Sequence, residues 1–325
     1  MYRELEQAGR DVRLVGVVDR NAEVAAKAAE QFGVPGFASI EACMATLARE
    51  HTRLDAASIC VPTVHHASAA APLLAAGVDL LIEKPLAANL SDTDEILRLA
   101  REHGRMVQAG HLERFNPAVT AARSVLHKPM FFESHRLSVF TPRSLDVDVV
   151  LDLMIHDLDI VLSFVASPVR EVRAVGLAVL SNKVDIANVR LEFENGCVAN
   201  FTASRVSTER VRKLRFFQPH QYLSLDFARQ DLLMIDVTAA AGMDRAQLAQ
   251  MAQLAQTGAH PSAGLSLRKL PVEQGEPLRL EIASFLDAVR NRTRPVVSGE
   301  DGRAALALAL EINRTIAEHA TRTGL

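Results

Sequence analysis

A chain of 325 residues is longer than a single hydrophobic core usually reaches, so two domains are expected. Hydrophobic residues at 49% and charged residues at 23% give enough apolar surface to fold, which excludes an extended disordered chain. A formal net charge of -3 supplies no long-range basic field, which excludes electrostatic capture of nucleic acid or an anionic membrane and leaves small molecules as the expected partners.

Cys43, Cys60 and Cys197 are too few and scattered for a disulfide framework, and none forms a C-x-x-C pair, so no metal site and a reducing, cytoplasmic setting are expected. The opening MYRELEQAGRD is charged, and no later apolar run approaches the roughly 18 residues of a membrane span, so neither export nor anchoring is expected.

In chain order, VRLVGVV at 12–18 is a valine-rich run ending at Asp19 and predicts a buried strand of a parallel sheet. Asn21 caps the following helix, NAEVAAKAAEQF, and Gly33 stops it. The unit then repeats, with a helix over 40–50, a strand at DAASICVP, a helix after Thr63, a strand at VDLLIEKP, a helix opened by Ser91 and a strand at RMVQAG. This alternation predicts an α/β, Rossmann-type doubly wound parallel sheet over residues 1–116.

Beyond residue 117 a helix near 118–126, a strand around FFESHRLSVF and a long helix over 148–165 are expected. ANVRLEFENGCVANFTASR alternates apolar and polar positions about Asn195-Gly196, which predicts a hairpin with a type I′ turn. LRFFQ, YLSLDF and LLMIDV read as further strands, and helices return near 277–290 and 300–319. Residues 117–325 should therefore form an α+β domain, an antiparallel sheet backed by helices, for substrate binding and oligomerisation. The Ala/Gln-rich segment 237–264 breaks the rhythm. Its Leu248, Met251 and Leu254 have the spacing of a helix stripe, compatible with a lid or partner helix, but a peripheral insertion is the expectation.

A carboxylate at the end of the second strand of a dinucleotide-binding unit accepts the ribose hydroxyls of NAD and repels a 2′-phosphate. Asp19 has that position, although capping a turn explains it equally well. Arg20 beside it, and Pro62, Thr63 and His66 at the end of the next buried strand, complete the expected cofactor-facing set with Glu83 and Lys84. The glycine-rich run G-x-G-x-x-G does not occur in the chain. Counting back about 20 residues from Asp19 puts it just before Met1, so a shortened start is expected, with true loss of cofactor binding as the alternative.

Glu83-Lys84-Pro85 closes an apolar strand, so Lys84 projects at the carboxyl edge, where ligands of open α/β sheets bind. A solvated lysine is the plain alternative. Asp152 and His156 are four apart on the expected helix and share a face, so the carboxylate can orient an imidazole suited to removing a hydroxyl proton. A structural Asp/His pair fits the same spacing.

The strand-end acid, the E-K-P segment, GHLERFNP and the D-x-x-x-H-D helix occur together and in order, and the chain resembles the Gfo/Idh/MocA oxidoreductases. The resemblance implies Lys84 beside nicotinamide and substrate, His156 as acid/base with Asp152 beside it, and sheet packing into homodimers or homotetramers. Within that family, GHLERFNPAV, DLMIHDLDIVLSFV and the long segment from DIANVRLEF to RFFQP are similar to the bacterial UDP-N-acetylglucosamine 3-dehydrogenases. This implies a UDP-sugar substrate, NAD, and a partner aminotransferase in lipid A synthesis. Arg205, Arg210, Arg212, Lys213 and Arg215 form a basic cluster that suits a diphosphate or a solvated sheet edge, and Arg114 and Asn116 are the stronger substrate-binding candidates. Another sugar or cyclitol dehydrogenase and a non-catalytic binding or assembly protein are the competing readings.

Overall fold

The computed structural model describes residues 1–141, 147–237, 242–256 and 266–324. It forms two compact units, Met1–Leu112 with Glu276–Leu306, and Glu113–Gly275 with Ala307–Leu325. The linear division at 116/117 is thus modified, because the chain returns to its first unit late. The reason is apolar: helix α9 (Pro277–Asn291) buries Ile282 and Phe285 in one cluster with Leu81 and with Leu5 of α1 (Tyr2–Gln7). Arg10 clamps Asp287 with two 2.7 Å contacts, and Arg292 pairs with the buried Asp79.

The first unit holds five short parallel strands. β1 (Val17–Val18) pairs with β2 (Gly36–Phe37), and β4 (Asp79–Glu83) lies between β3 (Ala56–Ile59) and β5 (Val107–Gly110). Helices α2 (Ala22–Phe32), α3 (Ile40–Arg49), α4 (His66–Ala75) and α5 (Leu90–Glu102) alternate with them. Asn21 caps α2 through Glu23 N at 3.0 Å, and Gly33 ends it at φ 61°. The α5 cap is Asn89, two residues ahead of Ser91, because its side-chain Oδ1 accepts Asp92 N at 2.8 Å.

No ladder among the described residues joins β1 to β3, and the sheet is in two pieces. In doubly wound order 3-2-1-4-5-6, the first strand lies between the strands that these two represent. Among the described residues the run at 12–18 pairs at Val17 and Val18, and Val18 and Val61 are 40% exposed.

The second unit is built on an eight-stranded sheet in the order β13-β12-β11-β10-β6-β9-β8-β7. Its strands are β6 (Phe131–Val139), β7 (Val169–Leu177), β8 (Ile186–Phe193), β9 (Val198–Ser207), β10 (Val211–Gln218), β11 (Gln221–Asp226), β12 (Asp231–Asp236) and β13 (Ser266–Leu270). It is mixed rather than wholly antiparallel. β9 and β10 run in opposite directions, so β6, inserted between them, is antiparallel to β10 and parallel to β9. Alternate residues point inward, and Phe132 of β6 and Phe216 of β10 stack with each other and with Phe164 of α7 (Ile155–Val165) at ring separations of 5.5 to 6.3 Å. α6 (Pro117–Arg123), α8 (Arg245–Gln256) and α10 (Gly299–Thr323) complete the order, the last giving residues to both units.

The β8–β9 turn departs from the type I′ expectation. Only Gly196 has a positive φ, 83°, and Gly196 N donates to Phe193 O at 2.9 Å while Phe193 N donates to Cys197 O at 2.8 Å. Asn195 instead uses its side chain to accept Cys197 N at 3.0 Å, which favours a longer loop with one left-handed residue. The stripe of Leu248, Met251 and Leu254 lies outside the described side chains. No helix among the described residues is long and apolar enough to cross a membrane.

Candidate active site

In the first unit β1 runs parallel to β2 and β3 runs parallel to β4, and Asp19, Thr63 and Lys84 follow the carboxyl ends of β1, β3 and β4. Asp19 is half-buried; its Oδ1 accepts Asn21 N at 2.8 Å and its own N donates to Phe37 O at 3.0 Å, so it does shape the turn. Arg20 and Pro62 are exposed, and Thr63 is half-buried. His66 is 1% exposed, with Nδ1 at 3.1 and 3.2 Å from the Pro85 and Leu86 oxygens and Nε2 at 2.9 Å from Val61 O. Its ring therefore ties the β3 and β4 ends together, leaving no nitrogen directed at a cofactor. Lys84 is half-buried, and its backbone N donates to Glu83 Oε2 at 3.3 Å. A surface cavity lined by Arg105, Val107, Arg292 and Ser298 lies at the opposite, amino edge and contains none of these residues.

Glu281 of α9 was not singled out by sequence reasoning. It is 1% exposed, and burial first, with the Glu83 charge second, pushes its carboxyl up to about 8. The signal was present: Leu278, Glu281, Ile282 and Phe285 stand at i, i+3, i+4 and i+7, an acid on an apolar stripe. Nearby, burial raises the Tyr2 hydroxyl to about 12 despite its 2.6 Å bond to Ser58 Oγ.

In the second unit the expected helix over 148–165 begins as a π turn, Val150–Met154, and continues as α7. Asp148 Oδ1 starts it by accepting Val150 N at 2.9 Å and Leu151 N at 3.0 Å. Asp152 in the π turn and His156 in α7 are both half-buried. The wider π turn alters the simple i, i+4 geometry that the sequence suggested, a departure common at functional positions.

Beside His156, the buried face of α7 is anchored by charge. Arg136 of β6 grips Asp157 at 2.7 and 2.9 Å and reaches Glu113 Oε1 at 3.0 Å. Desolvation works against the Arg136 cation, but the two carboxylates outweigh it and hold its pKa above the ordinary value. Arg114 engages Asp159 through two bonds of 2.6 and 3.0 Å at 7% exposure. Asn116 donates to Glu113 Oε2 and Phe227 O and caps α6 through Ala118 N. In this structure Arg114 and Asn116 hold the fold around α7 instead of facing open space.

Arg205, 5% exposed, contacts Asp185 at 3.6 Å and the Val147 carbonyl, whereas Arg212 is exposed and Arg215 pairs with Glu133. The five basic residues are thus divided between interior and surface. Burial disfavours the Asp185 carboxylate, but the N–H groups of Val179, Leu180 and Ser181 and the Ser181 hydroxyl prevail and hold it well below the usual range.

The carboxyl edge suits the ends of a dinucleotide, with a half-buried carboxylate at β1 for ribose and Lys84 at β4 for the nicotinamide end. The fit is partial, since a glycine-rich pyrophosphate loop is not among the 325 residues.

Residues 1–111 match the oxidoreductase family described as an NAD-binding Rossmann fold, and residues 116–218 match the GFO/IDH/MocA C-terminal domain. The UDP-N-acetylglucosamine 3-dehydrogenase of Acidithiobacillus ferrooxidans is 34% identical over 302 residues, 92% of this chain and 88% of that protein. A solved structure of that enzyme superimposes with a TM-score of 0.83 at 32% identity, covering 97% of this chain and 92% of the other. The myo-inositol 2-dehydrogenase of Thermotoga maritima is 23% identical over 286 residues, 83% of this chain and 79% of that protein. With both units matched and the similarity running nearly end to end, the chain belongs to the Gfo/Idh/MocA family of NAD-binding oxidoreductases.

Proposed function

We propose that the protein oxidises the 3-hydroxyl of UDP-N-acetylglucosamine to the 3-keto sugar nucleotide. The observation that carries this reading is 34% identity along 92% of the chain to an enzyme named for that reaction. NAD, when bound, supplies the hydride acceptor. His156 removes the hydroxyl proton, a task suited to an imidazole nitrogen, and Asp152 orients its ring. Lys84 donates to the reacting oxygen and fixes its direction. Asp19 selects the unphosphorylated ribose, and the anchored face of α7 keeps His156 from swinging. We further infer a homo-oligomer, and a transaminating enzyme as consumer of the ketone, because a 3-keto sugar is the electrophile such a reaction requires.

Similarity to an inositol dehydrogenase supports a cyclitol substrate as the second reading. The test is a panel of UDP-sugars, free sugars and inositols with NAD⁺, following NADH. The proposal expects turnover of UDP-N-acetylglucosamine alone and its loss in Lys84→Ala and His156→Ala. Turnover confined to inositols would replace the substrate, and full activity in either variant would remove that residue from the mechanism.

A further inference from the structure

Glu281 lies buried in α9, and its Oε1 has no hydrogen-bond partner among the described residues. Gln108 of β5, 0% exposed, donates through Nε2 to the Glu281 carbonyl oxygen at 3.4 Å, and its own Oε1 also lacks a partner there. Two buried acceptors without donors are costly to a fold, and a proton on Glu281 converts one of them into a donor.

The titratable groups that bear on Glu281 come from three elements: Glu83 at the end of β4, Cys60 just after β3, and Tyr2 of α1. Of these, Glu83 opposes a carboxylate at Glu281, whereas the Tyr2 hydroxyl and the Cys60 thiol are uncharged near neutrality and do not. Glu83 accepts the backbone N–H of Lys84, which connects Glu281 to the strand end that presents the lysine.

We propose that Glu281 is a positioning residue for that strand end. As a neutral acid it lets Glu83 hold the Lys84 backbone, and loss of its proton places a second negative charge behind Glu83 and displaces the edge. This rests on the reading of Lys84 as the group that orients the reacting oxygen.

The test labels the glutamate side-chain carboxyls with ¹³C and follows their titration by NMR in the full chain and in Glu281→Gln. One resonance should titrate near pH 8, about the value burial imposes, and be missing from the variant. In parallel, kcat/KM against pH should fall on the alkaline side in the original chain but not in Glu281→Gln, which mimics the neutral acid. Glu281→Ala should lower kcat about tenfold to a hundredfold through misplacement of Lys84, leaving KM little changed. A carboxyl set titrating wholly in the ordinary range overturns the proposal, as does an alkaline limb retained in Glu281→Gln. If Lys84→Ala keeps full activity while the high resonance persists, the reading of Lys84 has failed and the protonated Glu281 stands. Should Glu281→Gln not fold, the titration of the original chain still decides whether the proton is held.

Discussion

Asp157→Asn removes one charge from the buried group that anchors α7. Arg136 and Asp157 are 5% and 2% exposed at their side chains and share two bonds of 2.7 and 2.9 Å, so their pairing is shielded from solvent. Asparagine keeps one acceptor, and Glu113 remains 3.0 Å from Arg136, so the guanidinium is left half-compensated. Breaking such a pair costs about 3–5 kcal/mol, and the surviving partner argues for about 3 kcal/mol. For a unit of this size that lowers Tm by roughly 6–12 °C. The assay is tyrosine fluorescence on heating in a Tyr2→Phe background, where Tyr222 of the second unit is the one tyrosine left in a chain without tryptophan. Arg136→Met combined with Asp157→Leu and Glu113→Gln should recover most of the loss, because no buried charge is then left without its partner. A loss under about 1 kcal/mol in Asp157→Asn, or no recovery in the triple variant, would refute the claim that burial makes this pairing consequential.

Three more outcomes follow from the first unit and the hairpin. The raised Glu281 carboxyl stabilises the fold fully below its ordinary value of 4.5, and that contribution is lost progressively as pH rises from there through about 8; stability from urea titrations should fall by about 4 kcal/mol between pH 5 and 9, and Glu281→Gln should flatten the slope. Asp19→Ala should weaken NADH binding, measured by fluorescence, while leaving NADPH binding unchanged or improved; equal loss for both would assign Asp19 to its turn alone. Gly196→Ala should cost about 1 kcal/mol in urea unfolding because φ is 83°, and a neutral result would contradict the strained position.

The sequence made local chemistry legible. Asn21 and Gly33 bound α2 as their conformational properties require, and the leucine-rich run became a parallel strand, whereas among the described residues the valine-rich run at 12–18 pairs only at Val17 and Val18 and is not buried throughout. What it concealed depends on distant partners. The turn dipeptide Asn195-Gly196 favours two left-handed residues in isolation, but the register of β8 and β9 admits one. His66 looked like a cofactor neighbour until the carbonyls of Val61, Pro85 and Leu86 converged on it. Arg114 and Asn116 were legible as functional polar groups, yet only the fold brings Asp159, Glu113 and Phe227 to them. Glu281 was hidden because an acid on an apolar stripe has no meaning until Glu83 and Gln108 close over it.

The most direct test of the account is incubation of the purified 325-residue chain with NAD⁺ and UDP-N-acetylglucosamine, following absorbance of NADH and identifying the sugar nucleotide by mass. The account predicts NADH formed in step with a product two hydrogens lighter, trapped by a carbonyl reagent at C3. NADH formation with free sugars or inositols but none with the UDP-sugar would contradict it.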